Sequence, residues 1–508
     1  MGDCGDDAGF DTLCLHGGWG SDPTTNAKGV PVYRCAICPD TPTQRTGRCA
    51  QLAATARRAG RETPTWRIFR VALAGLEHFR MAPRPAPAPA PQRFRGTGQL
   101  RVLCVLGRST APYQFNDTKH AANLFALAEL GNIYTRLMNP TTDVVEKRVC
   151  MLEGAPAMGG VALASGTSAC FYAIINCAQK GDNIVSARNL YGGTYTMFAD
   201  ILPTLGIDCS FVDSQEPTNF AAAINENTRA LFCETCSNPA LEISDLEAIA
   251  KVAHDNGLPL IVDATFSTPY LTQTLSHGAD VVCHSLTKWI GGHGTGIGGI
   301  VVDKGTFNWG AGKHPMYTEP DPSYHGLRWA IDLPEPLRPL AYKLRLLTGP
   351  LRNLGACISP DNSWMALVGL ETLSLRMDKH CSNALAVAQH LSKHESVDWV
   401  RFPGLQSDPE YEKNVKYLKG KGGSMVVFGV KGGKEAGSKF IDNLKLISHV
   451  ANVGSTQTLA IHPATTTHSQ LSAEAQLAGG IKPELVRLSV GIETVGDIIT
   501  DLDRALAA

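Results

Sequence analysis

The stretch Asp280–Gly299, DVVCHSLTKWIGGHGTGIGG, places one lysine between a short apolar run and a glycine-rich loop. Burying an ammonium group is costly, so a lysine directly after an apolar strand has a lowered pKa and suits Schiff-base formation with a carbonyl. The hydroxyls of Ser285 and Thr287 are well placed to bind a phosphate beside the amine of Lys288. Taken alone, Lys288 also fits a solvent-exposed lysine at a strand end.

An aspartate precedes this lysine by one strand. The run LPLIVD, Leu258–Asp263, is a short apolar segment that ends in a carboxylate. A buried carboxylate at that position is able to keep a pyridine nitrogen protonated, which makes the ring an electron sink. A turn or helix-capping aspartate is the simpler interpretation of Asp263 by itself.

A third element is ASGTSA, Ala164–Ala169, which follows an apolar run and opens a predicted helix, Ala169–Gln179. A glycine-containing turn before a helix offers backbone N–H groups to an anion, although Ser165 also fits an ordinary helix cap. A phosphate cup, a carboxylate and an amine, in this order along the chain, predict a pyridoxal phosphate site. The segment Gly294–Gly299 matches G-x-G-x-x-G, but the strand-like Ile300–Asp303 follows it, which argues against dinucleotide binding.

Around these motifs, helix-like and strand-like blocks alternate, which predicts an α/β fold with a parallel sheet covered on both faces. In such sheets the chemistry lies at the carboxyl ends of the strands. From about residue 362 the pattern changes to that of a smaller α+β domain. The predicted strands are Asn183–Ser186, Ala230–Glu234, Asp280–Cys283, Gly423–Phe428 and Val486–Val490, and the predicted helices include Leu246–Asn256 and the block Ser363–Ser392.

Composition narrows the class of protein. The chain has 508 residues, enough for two or more domains, and a net charge of −1, which does not favour nucleic acid or an anionic membrane as a partner. No segment predicts a membrane helix or a secretory signal. The 15 cysteines are scattered, often in apolar runs, as in reduced thiols of an intracellular protein, so we expect a cytoplasmic location.

The region 35–109 departs from this composition. It has 13 arginines, no lysine, three acidic residues and the run APRPAPAPAPQ, Ala82–Gln92. We interpret it as a disordered insertion or a translated intron. A basic arm that binds RNA or a partner, and a zinc site from Cys35, Cys38 and Cys49, are the alternatives.

Five motifs resemble those of the pyridoxal-phosphate enzymes of cysteine and methionine metabolism. They are HSLTKWIGGHG, VDATFSTPY, LYGGTY, IYTRLMNPT and ETCSNPALEI. The resemblance runs from about Asn116 to Ala508, and Gly9–Tyr33 is similar to the opening segment of the family. It implies the aspartate-aminotransferase-like fold, known as fold type I. Joining Arg34 to Thr110 gives a family-like sequence, so residues 35–109 are foreign to the enzyme under this interpretation.

The resemblance also implies roles around the cofactor ring. Lys288 matches the Schiff-base lysine and general acid–base, and Asp263 matches the partner of the ring nitrogen. Tyr191 matches the aromatic ring that stacks on the cofactor and assists proton transfer. Asn238 matches the residue near the ring oxygen. We therefore expect Lys288, Tyr191 and Asp263 to be catalytic, and we expect no metal ion.

Phosphate and substrate contacts follow from the same resemblance. Tyr134 and Arg136 match a pair that reaches the phosphate of a neighbouring subunit, so the site needs a dimer, and we expect a tetramer. Arg487 matches the clamp on the substrate carboxylate, with Asn452 near it where relatives often have serine. The expected phosphate cup comprises Gly166, Thr167, Ser285 and Thr287.

The implied domain organisation is an N-terminal arm in two parts, 1–34 and 110–145, separated by the insertion 35–109. A large cofactor-binding domain, 146–361, and a small C-terminal domain, 362–508, complete it.

The nearest branch of the family resembles the O-acetylhomoserine sulfhydrylases. We therefore expect γ-replacement on O-acetyl-L-homoserine by sulfide or a thiol, giving L-homocysteine and acetate in methionine and cysteine biosynthesis. Thr318–Trp329 and Gly454–Ser469 favour this branch by similarity. The alternatives are methionine γ-lyase, a cystathionine γ-synthase or γ-lyase, and, more remotely, an inactive chain whose basic insertion binds nucleic acid.

Deleting residues 35–109 is expected to leave folding intact, because a low-complexity insertion contributes no packed core. Circular dichroism and thermal unfolding of the deletion variant beside the full chain test this. A variant that fails to fold would contradict the interpretation of this region as an insertion.

Overall fold

The computed structural model describes residues 10, 11, 14, 111–129, 131–156, 158–467, 469, 472 and 480–508. The predicted insertion 35–109 and nearly all of the predicted arm 1–34 lie outside these residues. Part of the loop Gly454–Ser469 also lies outside them.

Among the described residues, seven strands form the first sheet, in the order β1-β7-β6-β5-β4-β2-β3. Strands β3, β2, β4, β5 and β6 run parallel, and β7 is antiparallel to both of its neighbours, β6 and β1. Because the chain returns from β6 to β7 through a glycine-rich loop without a crossover helix, β7 runs in the opposite direction. The predicted α/β fold with a mostly parallel sheet is confirmed. The strands are β1 Gly160–Leu163, β2 Asn183–Ala187, β3 Asp208–Val212, β4 Thr228–Glu234, β5 Leu260–Asp263, β6 Val281–Ser285 and β7 Gly299–Asp303.

A second sheet of five strands lies in the C-terminal part of the described chain, in the order β10-β11-β12-β9-β8. All of its pairings are antiparallel except that of β10 with β11. Its own apolar cluster includes Phe402, Phe428 and Phe440. The strands are β8 Val397–Arg401, β9 Met425–Val430, β10 Ser448–His449, β11 Leu459–Ile461 and β12 Leu485–Ser489.

Helices cover the sheets and connect their strands. The α-helices are α1 Thr118–Phe125, α2 Pro140–Glu153, α3 Gly166–Ile175, α4 Gly192–Thr196, α5 Leu202–Thr204, α6 Thr218–Ala223, α7 Leu246–Asp255, α8 Thr268–Leu271, α9 Pro315–Thr318, α10 Ala341–Leu346, α11 Arg352–Leu354, α12 Pro360–Leu370, α13 Leu373–Leu391, α14 Tyr411–Tyr417, α15 Gly433–Asn443 and α16 Val495–Leu506. Shorter π-type segments are Met197–Ile201, Leu286–Ile290 and Leu347–Leu351, and 3-10 turns are Thr274–His277, Pro322–Tyr324, Arg338–Leu340 and Pro463–Thr465. None of the described helices has the length and apolar character needed to cross a membrane.

Local sequence explains the helices that were predicted. Helix α7 buries Leu246, Ile249, Ala250 and Ala253, which recur at the spacing of one helical face. The Asp245 side chain caps it by accepting a hydrogen bond from the Ala248 N–H at 3.4 Å. The predicted helix Leu246–Asn256 is therefore confirmed, with its last residue at Asp255.

Two predicted helices have different bounds. The helix expected at Ala169–Gln179 begins at Gly166, because the Ser165 hydroxyl accepts from the Ser168 N–H at 3.0 Å. It ends at Ile175, since the next residue, Asn176, donates its side-chain amide to Tyr317 and to the Tyr342 carbonyl.

The block Ser363–Ser392 is two helices, α12 and α13, rather than one. The break follows Gly369, which packs so closely on the chain after Lys288 that a Cβ there would lie 2.4 Å from the Ile290 carbonyl oxygen. The Gly369 carbonyl accepts from the Arg376 guanidinium at 2.6 Å, an interaction that replaces a helical hydrogen bond.

A carboxyl group on α2 that is only 13% exposed holds the edge strand β1. The Glu146 side chain accepts the Ala162 N–H at 2.9 Å, and its other oxygen lies 3.8 Å from the Lys343 ammonium. Burial outweighs the attraction of Lys343 and raises the pKa of Glu146 from its ordinary 4.5 to about 7.

This pKa predicts a pH-dependent stability. Between pH 4.5 and about 7 the folded chain binds the Glu146 proton and the unfolded chain does not, so the free energy of unfolding falls as pH rises through this window. Glu146→Gln keeps the hydrogen-bond acceptor and removes this fall, which is worth up to about 3 kcal/mol. Urea unfolding of both proteins from pH 5 to pH 8 measures it.

Asp143→Asn is the matched control, because Asp143 lies on the same helix, is half-exposed and pairs with Lys147 at 2.7 Å. It is expected to retain the fall of the free energy of unfolding across this window, because the charge of Asp143 ranks behind burial, Lys343 and the Ala162 N–H in setting the pKa of Glu146. Parallel pH profiles for wild type and Glu146→Gln would contradict the assignment of a buried, protonated Glu146.

Candidate functional site

The carboxyl ends of three neighbouring strands bring side chains of opposite character together. Glu234, the last residue of β4, is in register with Asp263, the last residue of β5. Asp263 is in turn in register with Cys283 on β6, which ends two residues later at Ser285. The predicted gathering of polar groups at this edge of the sheet is thus observed.

Lys288 lies in the π-type segment that follows β6, with a backbone conformation (φ −89°, ψ −136°) that interrupts the helical turn. Its Nζ donates to the Asn452 Oδ1 at 2.5 Å. Burial, followed by the positive charge of Arg487, lowers the pKa of Lys288. At a given pH a larger fraction of Lys288 is therefore neutral amine than for an exposed lysine. This is the direction that the apolar run before Lys288 predicts.

Asp263 accepts hydrogen bonds on both of its carboxyl oxygens. Its Oδ1 accepts the Thr265 N–H at 2.9 Å and the Thr265 hydroxyl at 2.6 Å, and its Oδ2 accepts the Cys170 thiol at 3.4 Å. Hydrogen bonds to a carboxylate stabilise its charged form. Neither of these two contacts of Asp263 is predicted from the sequence. An Asp-x-Thr turn after a strand is a pattern that would indicate Thr265. Cys170 is distant along the chain, and no local pattern indicates its contact.

Two residues of the predicted phosphate cup, Gly166 and Ser285, meet where α3 begins beside the end of β6. A Cβ on Gly166 would lie 2.6 Å from the Ser285 Cβ, so only glycine permits this approach. The first turn of α3 supplies the backbone N–H groups of Gly166 and Thr167. The Thr287 hydroxyl exchanges hydrogen bonds with the main chain of Gly298, at 3.1 and 3.2 Å, and so braces the glycine loop.

Tyr191 precedes α4, and its ring is 52% exposed. Its backbone N–H donates to the Glu234 Oε1 at 2.7 Å. A Cβ on Gly193 would come within 2.7 Å of the Tyr191 ring, so the glycine at this position leaves room for the ring. The position of Glu234 at a strand end is visible in the sequence, but its contact with Tyr191 is not.

The second sheet contributes a cation. Arg487, on β12, donates its Nη1 to the Asn238 Oδ1 at 2.9 Å. Burial lowers the pKa of Arg487 to about 10, which leaves the guanidinium charged at neutral pH. The charge of Arg487 also acts on Lys288, so Lys288, Asn452, Arg487 and Asn238 form one group.

Tyr134 and Arg136 form a separate pair. The Arg136 guanidinium lies 5.4 Å from the centre of the exposed Tyr134 ring, and Tyr134 bridges to Pro112 through the main chain. The described chain therefore holds these two residues next to each other and accessible.

A further residue that the sequence did not indicate holds the turn after Lys288. Arg376 on α13 is 5% exposed. It donates to the Trp289 carbonyl at 2.7 Å, to the Ile290 carbonyl at 3.2 Å and to the Gly369 carbonyl at 2.6 Å. Nothing in the local sequence distinguishes Arg376 from a surface arginine of an amphipathic helix.

These residues fit pyridoxal phosphate by the chemistry of the donor set. The start of α3 and the hydroxyl of Ser285 suit the phosphate, the anion of Asp263 suits a protonated ring nitrogen, and the amine of Lys288 has the lowered pKa that a carbonyl partner requires. The described residues contain no group of His, Cys, Asp and Glu side chains able to hold a metal ion.

Comparison with known proteins gives consistent matches. The sequence model described as Cys/Met metabolism PLP-dependent enzyme matches residues 97–507. The chain is 52% identical over 402 residues to O-acetyl-L-homoserine sulfhydrylase of Leptospira meyeri, covering 78% of this chain and 90% of that protein. It is 51% identical over 400 residues to O-acetyl-L-homoserine sulfhydrylase 1 of Thermus thermophilus, covering 78% and 94%.

A solved structure is also similar. It is the crystal structure of a Campylobacter jejuni subsp. jejuni protein assigned as an O-acetylhomoserine (thiol)-lyase, with N'-pyridoxyl-lysine-5'-monophosphate. The TM-score is 0.75 at 38% identity, and the match covers 78% of this chain and 94% of that one.

The close approach at Gly166 predicts the effect of one methyl group. Gly166→Ala places a Cβ 2.6 Å from the Ser285 Cβ and 2.9 Å from its Cα, which forces the two sides of the phosphate cup apart. We expect pyridoxal phosphate to bind about tenfold more weakly, or worse. Titration of the apoprotein with the cofactor, followed by absorbance, measures this.

Gly496→Ala on α16 is the control, since a Cβ there meets nothing within 4 Å. It is expected to bind the cofactor as the wild type does. Equal affinities for Gly166→Ala and Gly496→Ala would show that the phosphate does not lie at the start of α3.

Proposed function

Since the chain belongs to the family of Cys/Met metabolism PLP-dependent enzymes, we propose that it replaces the acetate of O-acetyl-L-homoserine with sulfide or a thiol. With sulfide the products are L-homocysteine and acetate, a step in methionine and cysteine biosynthesis. The observation that carries this proposal is the Lys288 amine of lowered pKa, held by Asn452 beside the buried guanidinium of Arg487. The choice of substrate is supported by the relatives named O-acetyl-L-homoserine sulfhydrylase. The family predicted from the motifs is confirmed, and the protein is a PLP-dependent enzyme.

Each group of the site has a task in this reaction. Pyridoxal phosphate, when bound, supplies the electron sink that makes the α-proton of an amino acid removable. Lys288 Nζ removes the proton from the substrate Cα and exchanges protons at Cβ, because its lowered pKa makes the neutral amine more available as a base. Asn452 Oδ1 orients this amine through their hydrogen bond.

Substrate orientation depends on the second sheet. The Arg487 guanidinium binds the substrate α-carboxylate in the forked geometry that arginine offers. Asn238 accepts from its Nη1 and so holds the fork. The Tyr191 ring covers the site and its hydroxyl assists proton transfer, while Asp263 keeps its negative charge at the strand end.

We further propose that Tyr134 and Arg136 bind the cofactor phosphate of a neighbouring subunit. Their exposure and mutual stacking support this role. A dimer then forms the smallest active unit, and a tetramer in the cytoplasm is the expected assembly. The domain organisation that goes with it is an arm in two parts, 1–34 and 110–145, an insertion 35–109, a large domain 146–361 and a small domain 362–508.

Product analysis with O-acetyl-L-homoserine, with and without sulfide, tests the reaction. Homocysteine that forms only when sulfide is present is the expected result. Release of 2-oxobutyrate and ammonia in both conditions would replace the proposal with a γ-lyase.

Lys288→Ala is expected to lower turnover by about 10²–10⁴-fold or more, because the variant lacks the group that moves the protons. Lys251→Ala is the matched control, since Lys251 is an exposed lysine on α7 that pairs with Asp255 at 2.7 Å. Turnover by Lys288→Ala at the rate of Lys251→Ala would remove Lys288 from the mechanism.

A further inference from the structure

Two carboxyl groups stand side by side at the edge of the first sheet. Glu234 and Asp263 are the last residues of β4 and β5 and are in register, so their side chains project from the same face of the sheet. Glu234 is only 7% exposed. The reaction proposed above assigns a task to Asp263 and none to Glu234.

Glu234 is tightly held, but by neutral groups. Its Oε1 accepts the Tyr191 N–H at 2.7 Å, and its main-chain carbonyl accepts the Ser244 hydroxyl at 2.7 Å. The next residue, Thr235, donates its N–H to the Asp263 carbonyl at 3.0 Å. In the described part of the chain, no lysine, arginine or histidine forms an ion pair with Glu234.

The two carboxyl groups differ in what stabilises a negative charge. Asp263 receives three hydrogen bonds, two from Thr265 and one from Cys170. Glu234 receives one side-chain contact, the Tyr191 N–H. Burial, followed by the charge of Asp263, raises the pKa of Glu234 well above its ordinary value, and the Tyr191 N–H offsets only part of this.

Two neighbouring carboxyl groups without a shared cation divide one charge and one proton between them. The contacts assign the charge to Asp263 and the proton to Glu234. An ionised Glu234 would place a second negative charge beside Asp263, and the pair would then no longer match the single positive charge of a protonated pyridine nitrogen.

We propose that Glu234 is a positioning residue that acts as a neutral carboxylic acid, holding the main chain of Tyr191 in place and leaving Asp263 as the only negative charge at this strand edge. This proposal rests on the cofactor-binding roles of Asp263 and Tyr191 in the proposed function. Glu234 acts through these two residues and not by contact with cofactor or substrate.

Three variants of the holoenzyme test it. Glu234→Gln keeps a neutral acceptor for the Tyr191 N–H. Glu234→Ala removes the acceptor. Asp303→Asn is the control, because Asp303 is a buried carboxyl group with a pKa raised to about 7 that lies at the end of the antiparallel strand β7, on the opposite edge of the sheet.

The first readout is infrared difference spectroscopy at pH 8. A carboxylic-acid carbonyl band present in wild type and in Asp303→Asn, but lost in Glu234→Gln, is the expected result. The second readout is the pH midpoint of the absorbance change of the bound cofactor. It is expected to stay near the wild-type value in Glu234→Gln, whereas removal of a neighbouring anion would move it by about one pH unit or more.

The third readout is cofactor affinity, measured by titrating the apoproteins with pyridoxal phosphate. Glu234→Ala is expected to bind about tenfold more weakly, because the Tyr191 N–H loses its buried acceptor. An affinity equal to that of wild type would overturn the positioning role. If Glu234→Ala does not fold, the infrared band and the pH midpoint of Glu234→Gln decide the proposal.

If the acid band persists in Glu234→Gln and the pH midpoint of the cofactor absorbance shifts, Glu234 is ionised in the wild type. This result would overturn the proposal. These readouts require only bound pyridoxal phosphate, so they do not depend on which substrate is turned over. Failure of wild type to form homocysteine would overturn the proposed reaction and leave the result on Glu234 intact.

Discussion

The turn between β6 and the glycine loop is held by a buried cation, and the position of Lys288 depends on it. Arg376 directs its guanidinium at three main-chain carbonyls, two of which belong to the residues after Lys288. In the described chain no carboxylate pairs with Arg376, so the carbonyl dipoles must stabilise its charge. Gly292 makes this possible, since a Cβ there would lie 2.2 Å from the Arg376 Nη1. These contacts hold the turn in place although its backbone geometry is irregular.

The same turn joins the two sheets. The Trp289 indole donates to the Ser424 hydroxyl at 2.7 Å, next to β9, and Gly454 approaches the Trp289 main chain with a φ of +77°. Gly454 also donates its N–H to the Ser489 hydroxyl on β12 at 3.0 Å. The Lys288 amine on one sheet and the Arg487 guanidinium on the other are consequently held at a defined separation. The Arg487 guanidinium suits the carboxylate of a substrate whose reacting carbon lies beside the Lys288 amine.

Charge is distributed unevenly across the site, and this distribution suits the proposed chemistry. Lys288 and Arg487 are both partly desolvated, and the charge of Arg487 lowers the tendency of Lys288 to hold a proton. Asp263, with its three hydrogen bonds, supplies the negative group for a protonated pyridine nitrogen under the proposed function. The neutral state proposed for Glu234 leaves one negative charge for that nitrogen.

The sequence by itself determined the α/β character, the positions of most strands and the placement of Lys288 and Asp263 at strand ends. Short apolar runs that end in a polar residue carry this information locally, because a buried strand needs apolar side chains and its carboxyl end reaches solvent or a ligand. The motifs also indicated the family, by their resemblance to those of its members.

Only the tertiary structure decided which side chains of the site contact each other. Lys288 meets Asn452 across 164 residues, Arg487 meets Asn238 across 249, and Cys170 meets Asp263 across 93. Strand order, the reversed direction of β7 and the break between α12 and α13 bring these groups together, and hydropathy patterns along the chain do not encode them. The protonation of Glu234 and the carbonyl contacts of Arg376 depend on burial, which exists only when both sheets and their helices are assembled.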